Sequence, residues 1–168
     1  MDRSLCEILL AKVDEQIERS DHLIGLLPKG ALDWKPAIPG AFSAGVLLGH
    51  LLECLAGFCA VLFAALPGKL LHFDDLRRLP VNQRCAPNEG HNRIAVYRAS
   101  IHEGFTLLLD TDLGRKVPTV FVPSGEPLLT LLLGNLEHLI NHKHQLFMYL
   151  RLFGIEAGSR DLYRFRGE

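Results

Sequence analysis

Hydrophobic positions recur at helical spacing in four stretches of this chain, separated by loops that carry proline and glycine. The first runs from about Ser4 to Leu27. Cys6, Leu9, Leu10, Val13, Ile17 and Ile24 fall on one side, and Asp14, Glu15, Glu18 and Arg19 cover the other. Ser4 and Glu7 have the spacing of a capping box, and Pro28 with Gly30 ends the segment. Ser43 caps the second stretch, which is apolar nearly all round and stops before Pro67-Gly68. The third starts near Asn88, with Ile94, Tyr97, Ile101, Phe105 and Leu108 as its buried face. The fourth starts near Glu126-Pro127, where proline suits a first turn, and reaches Gly154. Before it, a short extended piece is expected around Val117 to Val122. The connection from Pro67 to Pro87 is long for a bundle, so it crosses the bundle's length or covers a site. Four long helical segments with little strand signal predict an all-α four-helix bundle, with residues 1–168 forming a single domain.

Composition narrows the function classes. Charged residues make up 22% and the formal net charge is −1, which gives no general pull toward nucleic acid or anionic lipid. The second helix is long enough to be tested as a membrane span. His50 and Glu53 interrupt it, and the apolar run from Cys54 to Leu66 falls short of the roughly 20 residues a bilayer needs. A buried central helix is the expectation, with no membrane partner. The four cysteines (Cys6, Cys54, Cys59, Cys85) form no CxxC pair, and they read as small core residues of a reduced protein. The charged MDRSLCEILLAK start lacks the apolar core of a signal peptide, so the expected location is cytoplasmic.

Histidine is the enriched type, with eight residues. His138 and His142 stand one turn apart on the fourth helix, and His50 interrupts the apolar second helix. Two imidazoles at i, i+4 can grip one ion, with a third ligand from a neighbouring helix. Three protein ligands leave coordination positions open, the pattern of a reactive rather than a structural site. The pair alone settles nothing; its surroundings say more. Asn135, His138, His142, Gln145 and Tyr149 form a polar stripe beside Leu132, Leu136, Leu139, Leu146 and Leu150. Such a stripe is either solvated or lines an interior site, and Glu137, Lys143 and His144 are expected to be the solvated positions. His22, His72, His91 and His102 are expected in surface or structural roles, although His102 or Tyr97 can approach from the third helix.

With those residues in place, the chain resembles the DinB-like (damage-inducible) superfamily of four-helix metalloproteins. The resemblance rests on Trp34 and Pro36 in LDWKPAIPGAFS, then Ser43, Gly49-His50-Leu51, and His138-x3-His142-x2-Gln145. It runs nearly the full length. It implies an up-down-down-up bundle that binds a divalent metal, zinc or nickel, through His50, His138 and His142. It also implies homodimers and, in several related groups, enzymes that work with a low-molecular-weight thiol. The chain departs from the family's frequent His-Arg-Gly-Gln run, having His142-Lys143-His144-Gln145 instead.

The expected chemistry follows from the donor set. Three neutral imidazoles leave an ion's double charge uncompensated, so it acidifies a water or thiol beside it. Imidazole suits zinc and nickel better than magnesium or calcium. The expected function is attack by a metal-activated thiol, or water, on a small electrophile, as in a thiol S-transferase. The alternative is a non-catalytic bundle that binds metal or a small ligand. Asn135, Glu53 and Gln145 are possible supporting or substrate-binding groups, and no residue stands out as a general base. The nearly all-round apolar second helix also suits packing against another subunit.

Overall fold

The computed structural model describes residues 2–119 and 122–163. Four long helices form where the periodicity places them: α1 (Ser4–Gly25), α2 (Ala44–Ala65), α3 (Pro87–Thr106) and α4 (Leu128–Leu152). A short α5 (Ser159–Tyr163) follows, tied to α1 through His22 Nε2 and Asp161 Oδ1 at 2.9 Å. The extended piece is smaller than expected. β1 (Lys116–Val117) pairs antiparallel with β2 (Glu126–Pro127), and residues 120 and 121 of the expected segment lie outside the described residues. The loop leading into α4 also completes that helix's first turn, because the Leu128 and Leu129 N–H groups donate to the carbonyls of Arg115 and Leu113.

Helix α2 packs on α3 and α4, and α1 packs on the same two. Arg3 donates to the carbonyls of Leu108 and Phe105, setting the start of α1 against the end of α3. Tyr149, near the end of α4, donates to the carbonyl of Phe42, just ahead of α2. At the other end Arg115, whose carbonyl accepts from Leu128 at the start of α4, donates to the Ala65 carbonyl on the last turn of α2. That opposed pairing brings the second turn of α2 beside the middle of α4, which is where the histidines are. By length and a mean hydropathy of 2.1, α2 passes as a membrane span, but 56% of that stretch is buried inside the bundle. The cysteines are all buried and unpaired, as expected of core residues.

Two local expectations are corrected. Ser43 does cap α2, its Oγ accepting from the Val46 N–H, but the Ser4–Glu7 capping box does not form. Arg3 occupies the cap position of α1 without a side-chain bond. The carboxylate of Asp110 accepts from the Leu5 and Cys6 N–H groups at 3.0 and 2.9 Å, and Asp2 accepts from Ser4. A carboxylate meets two orphan donors at the positive end of the helix, which one serine hydroxyl cannot do.

Lys143 is the second correction. It is buried at 3% exposure, and its Nζ donates to Gln16 Oε1 at 2.8 Å. Because α4 packs on both α1 and α2, its buried arc is wide and includes the flank that carries Lys143. Burial, with the Arg19 charge next, pushes the Lys143 pKa from 10.5 down to about 8. Below pH 8 both folded and unfolded chains hold this proton, and the buried ammonium is a fixed cost. Between about 8 and 10.5 the unfolded chain binds more protons, so folding gains stability as pH rises. In urea melts, the wild-type chain should gain on a Lys143→Met variant by up to about 3 kcal/mol across that window. Parallel pH profiles would show that the ammonium is not desolvated.

The long connection between α2 and α3 covers α2. A 3₁₀ segment, Leu71–Arg78, buries Phe73 against it, and the chain then returns along the first turns of the helix. There the N–H groups of Asn82 and Cys85 donate to the carbonyls of Gly49 and Gly45. Gly49 makes this approach possible, since a Cβ there would lie 1.9 Å from the Gln83 carbonyl oxygen.

Candidate metal centre

His50 extends from α2 toward α4, and His138 and His142 extend from successive turns of α4 toward α2. The rings meet edge to face, with centroids 5.2 Å apart for His50 and His138, 4.3 Å for His50 and His142, and 4.8 Å for His138 and His142. One ring nitrogen from each lies within 4.8 Å of the others. Imidazoles on one tetrahedral zinc, with Zn–N near 2.1 Å, have nitrogens about 3.4 Å apart. Small ring rotations close that difference. All three side chains are half-buried, so the site is shielded yet reachable.

The far sides of the rings are held by acceptors. His142 Nδ1 donates to Gln145 Oε1 at 2.9 Å, and Gln145 Nε2 lies 3.5 Å from the Tyr149 hydroxyl, which donates to the Phe42 carbonyl. Trp34 packs edge-on against Tyr149, centroids 5.4 Å apart, and secures the end of this relay. His50 Nδ1 has two acceptors, Asn82 Oδ1 at 2.5 Å and Glu53 Oε2 at 2.9 Å. A proton on Nδ1 leaves the lone pair on Nε2. For His50 and His142, Nε2 is therefore the nitrogen free to bind a cation. Burial, and next the neighbouring His50, lower the pKa of His138. Burial also lowers that of His142, against the opposing effect of its hydrogen bond to Gln145 Oε1. Neutral imidazoles with aimed lone pairs fit a borderline divalent metal such as zinc or nickel.

Among the described residues no cysteine or carboxylate joins the trio. Desolvation raises the Cys54 and Cys59 thiols to about 12, so they stay protonated. One residue pair away from the histidines, through Glu53, an apolar pocket of about 790 Å³ opens between α2, the 71–81 segment, residues 117–119 and α4, with Glu53 and Asn135 on its wall.

No family model and no curated protein matches the sequence. The fold does have a solved counterpart. A crystal structure of a DinB-like protein, YjoA from Bacillus subtilis, matches with a TM-score of 0.65 over 89% of this chain and 94% of that one, at 20% identity. This chain has the DinB-like fold.

Within that DinB-like bundle, the three histidines singled out in the sequence converge. Gln145 and Glu53 stand directly behind two of them. Asn135 does not touch the rings. Its Nδ2 donates to Leu131 within α4, and its Oδ1 lies against Gly57, where a Cβ would come within 2.3 Å. His22, His72, His91 and His102 pair instead with Asp161, Glu103, Asp21 and Asp14, as structural or surface histidines. The approach of His102 or Tyr97 to the site does not occur. His102 turns to α1, and Tyr97 is fully buried near Cys59. Asn82 is the site residue that sequence reasoning missed. Its left-handed backbone, φ 57°, is one that asparagine tolerates, but nothing local points it toward His50.

Gln145→Ala removes the acceptor that fixes the His142 tautomer. Zinc affinity by competition with a chromogenic chelator should fall about 10–100-fold. An unchanged affinity would mean that Gln145 does not orient the ligand.

Proposed function

We propose that this DinB-like protein binds a divalent metal, zinc or nickel, through His50, His138 and His142, and uses it to activate a low-molecular-weight thiol, or water, against a small electrophile. The activity would be that of a thiol S-transferase. The carrying observation is the convergence of three ring nitrogens with two rings locked from behind by acceptors. When bound, such a cation supplies Lewis acidity that draws the pKa of a thiol or water toward about 7. The chain's own part is to aim the imidazoles through their hydrogen-bond partners, and to admit a substrate along the adjoining apolar groove. Its own thiols support an exogenous nucleophile, since burial keeps Cys54 and Cys59 protonated. No general base is assigned.

The finer architecture in this reading is the up-down-down-up arrangement, supported by the end-to-end contacts of α1 with α3 and of α2 with α4. The protein would work in the cytoplasm on small molecules, with neither nucleic acid nor membrane as partner. It would work as a homodimer, supported by Leu133, Met148 and Leu152 exposed along α4. A monomeric mass by light scattering at micromolar concentration would remove the dimer.

Zinc- or nickel-loaded protein, given glutathione and other small thiols with monochlorobimane, should conjugate the dye faster than metal-free protein. Equal rates across all thiols would leave the second reading, a non-catalytic metal- or ligand-binding bundle, which the size of the cavity favours.

A further inference from the structure

The cavity next to the histidines is built by the absence of side chains. On the face of α2 below Glu53 stand Ala56, Gly57, Ala60 and Ala64, where the rest of the helix carries leucine and phenylalanine. The covering segment brings Phe73 and Leu76 across this face, and α4 brings Leu131. Ala60 and Ala64 stay exposed beneath them, so the space of about 790 Å³ is a groove open to solvent at one side. A contiguous apolar groove left exposed in this way marks a ligand-binding surface. A volume of this size matches a small-molecule site.

Apart from Thr119, whose hydroxyl accepts from the Val122 N–H, the hydrogen-bonding side chains of the wall stand at the end nearest the metal centre. Glu53 offers a carboxylate there, three residues from His50 on the same helix. Asn135 offers Oδ1, its Nδ2 being already committed to Leu131. Both are acceptors. An occupant that lays its body among alanine, phenylalanine and leucine displaces water from this end, so a donor there replaces the bonds lost by Asn135 Oδ1 and by the Glu53 carboxylate, whose Oε2 otherwise accepts from His50. Asn82 holds His50 Nδ1 independently, so Glu53 is free to turn to an occupant without releasing the ligand's tautomer.

We infer that this cavity is the substrate site, and that its occupant is a neutral, elongated apolar molecule with one hydrogen-bond donor, seated with the donor at Glu53 and Asn135. The facing of that donor end toward the metal rests on the proposed metal function; the cavity and its polarity do not.

N-phenyl-1-naphthylamine, an apolar fluorophore with a single N–H, tests this on the full chain as purified and again after chelation. Its emission should brighten and saturate at one dye per chain in both states. Ala60→Trp and Ala64→Trp fill the floor and should each weaken the dye at least about tenfold, with zinc uptake by calorimetry unchanged. In competition, 1-decanol should displace the dye at about a tenth of the concentration that decyl methyl ether needs. The double variant Glu53→Ala, Asn135→Ala should erase that preference. Dye binding unaffected by both tryptophans overturns the proposal. So does one dye per two chains, which would assign the slot to a second copy. If neither tryptophan variant folds, the alcohol-over-ether preference of the unaltered chain decides, and equal displacement overturns the inference. Loss of zinc uptake with dye binding intact would instead fail the metal reading alone.

Discussion

His142→Ala is expected to abolish stoichiometric metal uptake while leaving the helical fold intact. The side chain supplies one of three nitrogens, and its removal leaves two imidazoles with water to complete the shell. Removing an outer partner of a ligand already costs about 10–100-fold in affinity, so losing the ligand itself should cost at least about a hundredfold. Elemental analysis after dialysis should find metal on the wild-type chain and only background on the variant. His144→Ala, two residues along on the exposed side of α4, is the matched control and should retain the wild-type content. Stability should change little in the metal-free form. Alanine relieves the desolvation that lowers the His142 pKa and forfeits only the bond to Gln145. Equal metal content in His142→Ala and wild type would place the ion elsewhere and remove the basis of the proposed activity.

Gly49→Ala should be the most damaging single methyl added to this protein. The new Cβ would sit 1.9 Å from the Gln83 carbonyl oxygen and 2.9 Å from its carbonyl carbon and nitrogen. All three are backbone, so no side chain can swing aside, and the 82–85 segment must lift off α2. Overpacking that forces backbone shifts costs about 3 kcal/mol or more. In a domain of this size that is about 6–12 °C in melting temperature. Lifting the segment also withdraws Asn82 from His50, so metal affinity should drop along with stability. Gly68→Ala meets nothing within 4 Å and should stay within about 0.5 kcal/mol of wild type. If the two variants melt alike, the close approach of the segment to the helix is wrong.

How far the sequence carried differs from residue to residue. His138 and His142 were legible because one helical turn separates them on a stripe flanked by leucines, all of them buried. His50 was legible because it breaks an apolar run. Gln145 followed from helix geometry, three positions on from a ligand. Asn82 was not legible, since the path of a covering loop decides what it meets. Lys143 was misjudged because a helical wheel with one wet face assumes one buried neighbour, and α4 has two. The Ser4–Glu7 box is plausible locally and loses to the Asp110 carboxylate, more than a hundred positions along the chain. The cavity had only a faint signal, the run of alanine and glycine at 56, 57, 60 and 64. Small residues in a helix read equally well as tight packing.

The carboxylate that caps α1 carries a consequence for biosynthesis. Residues 4–25 leave the ribosome well before the partner of Leu5, which lies 105 positions later in the chain. During translation the opening turn therefore waits with unmet donors until α3 has emerged and folded back. Amide protection at Leu5 and Cys6 should accordingly develop late, so that a turn made before its partner closes only after it.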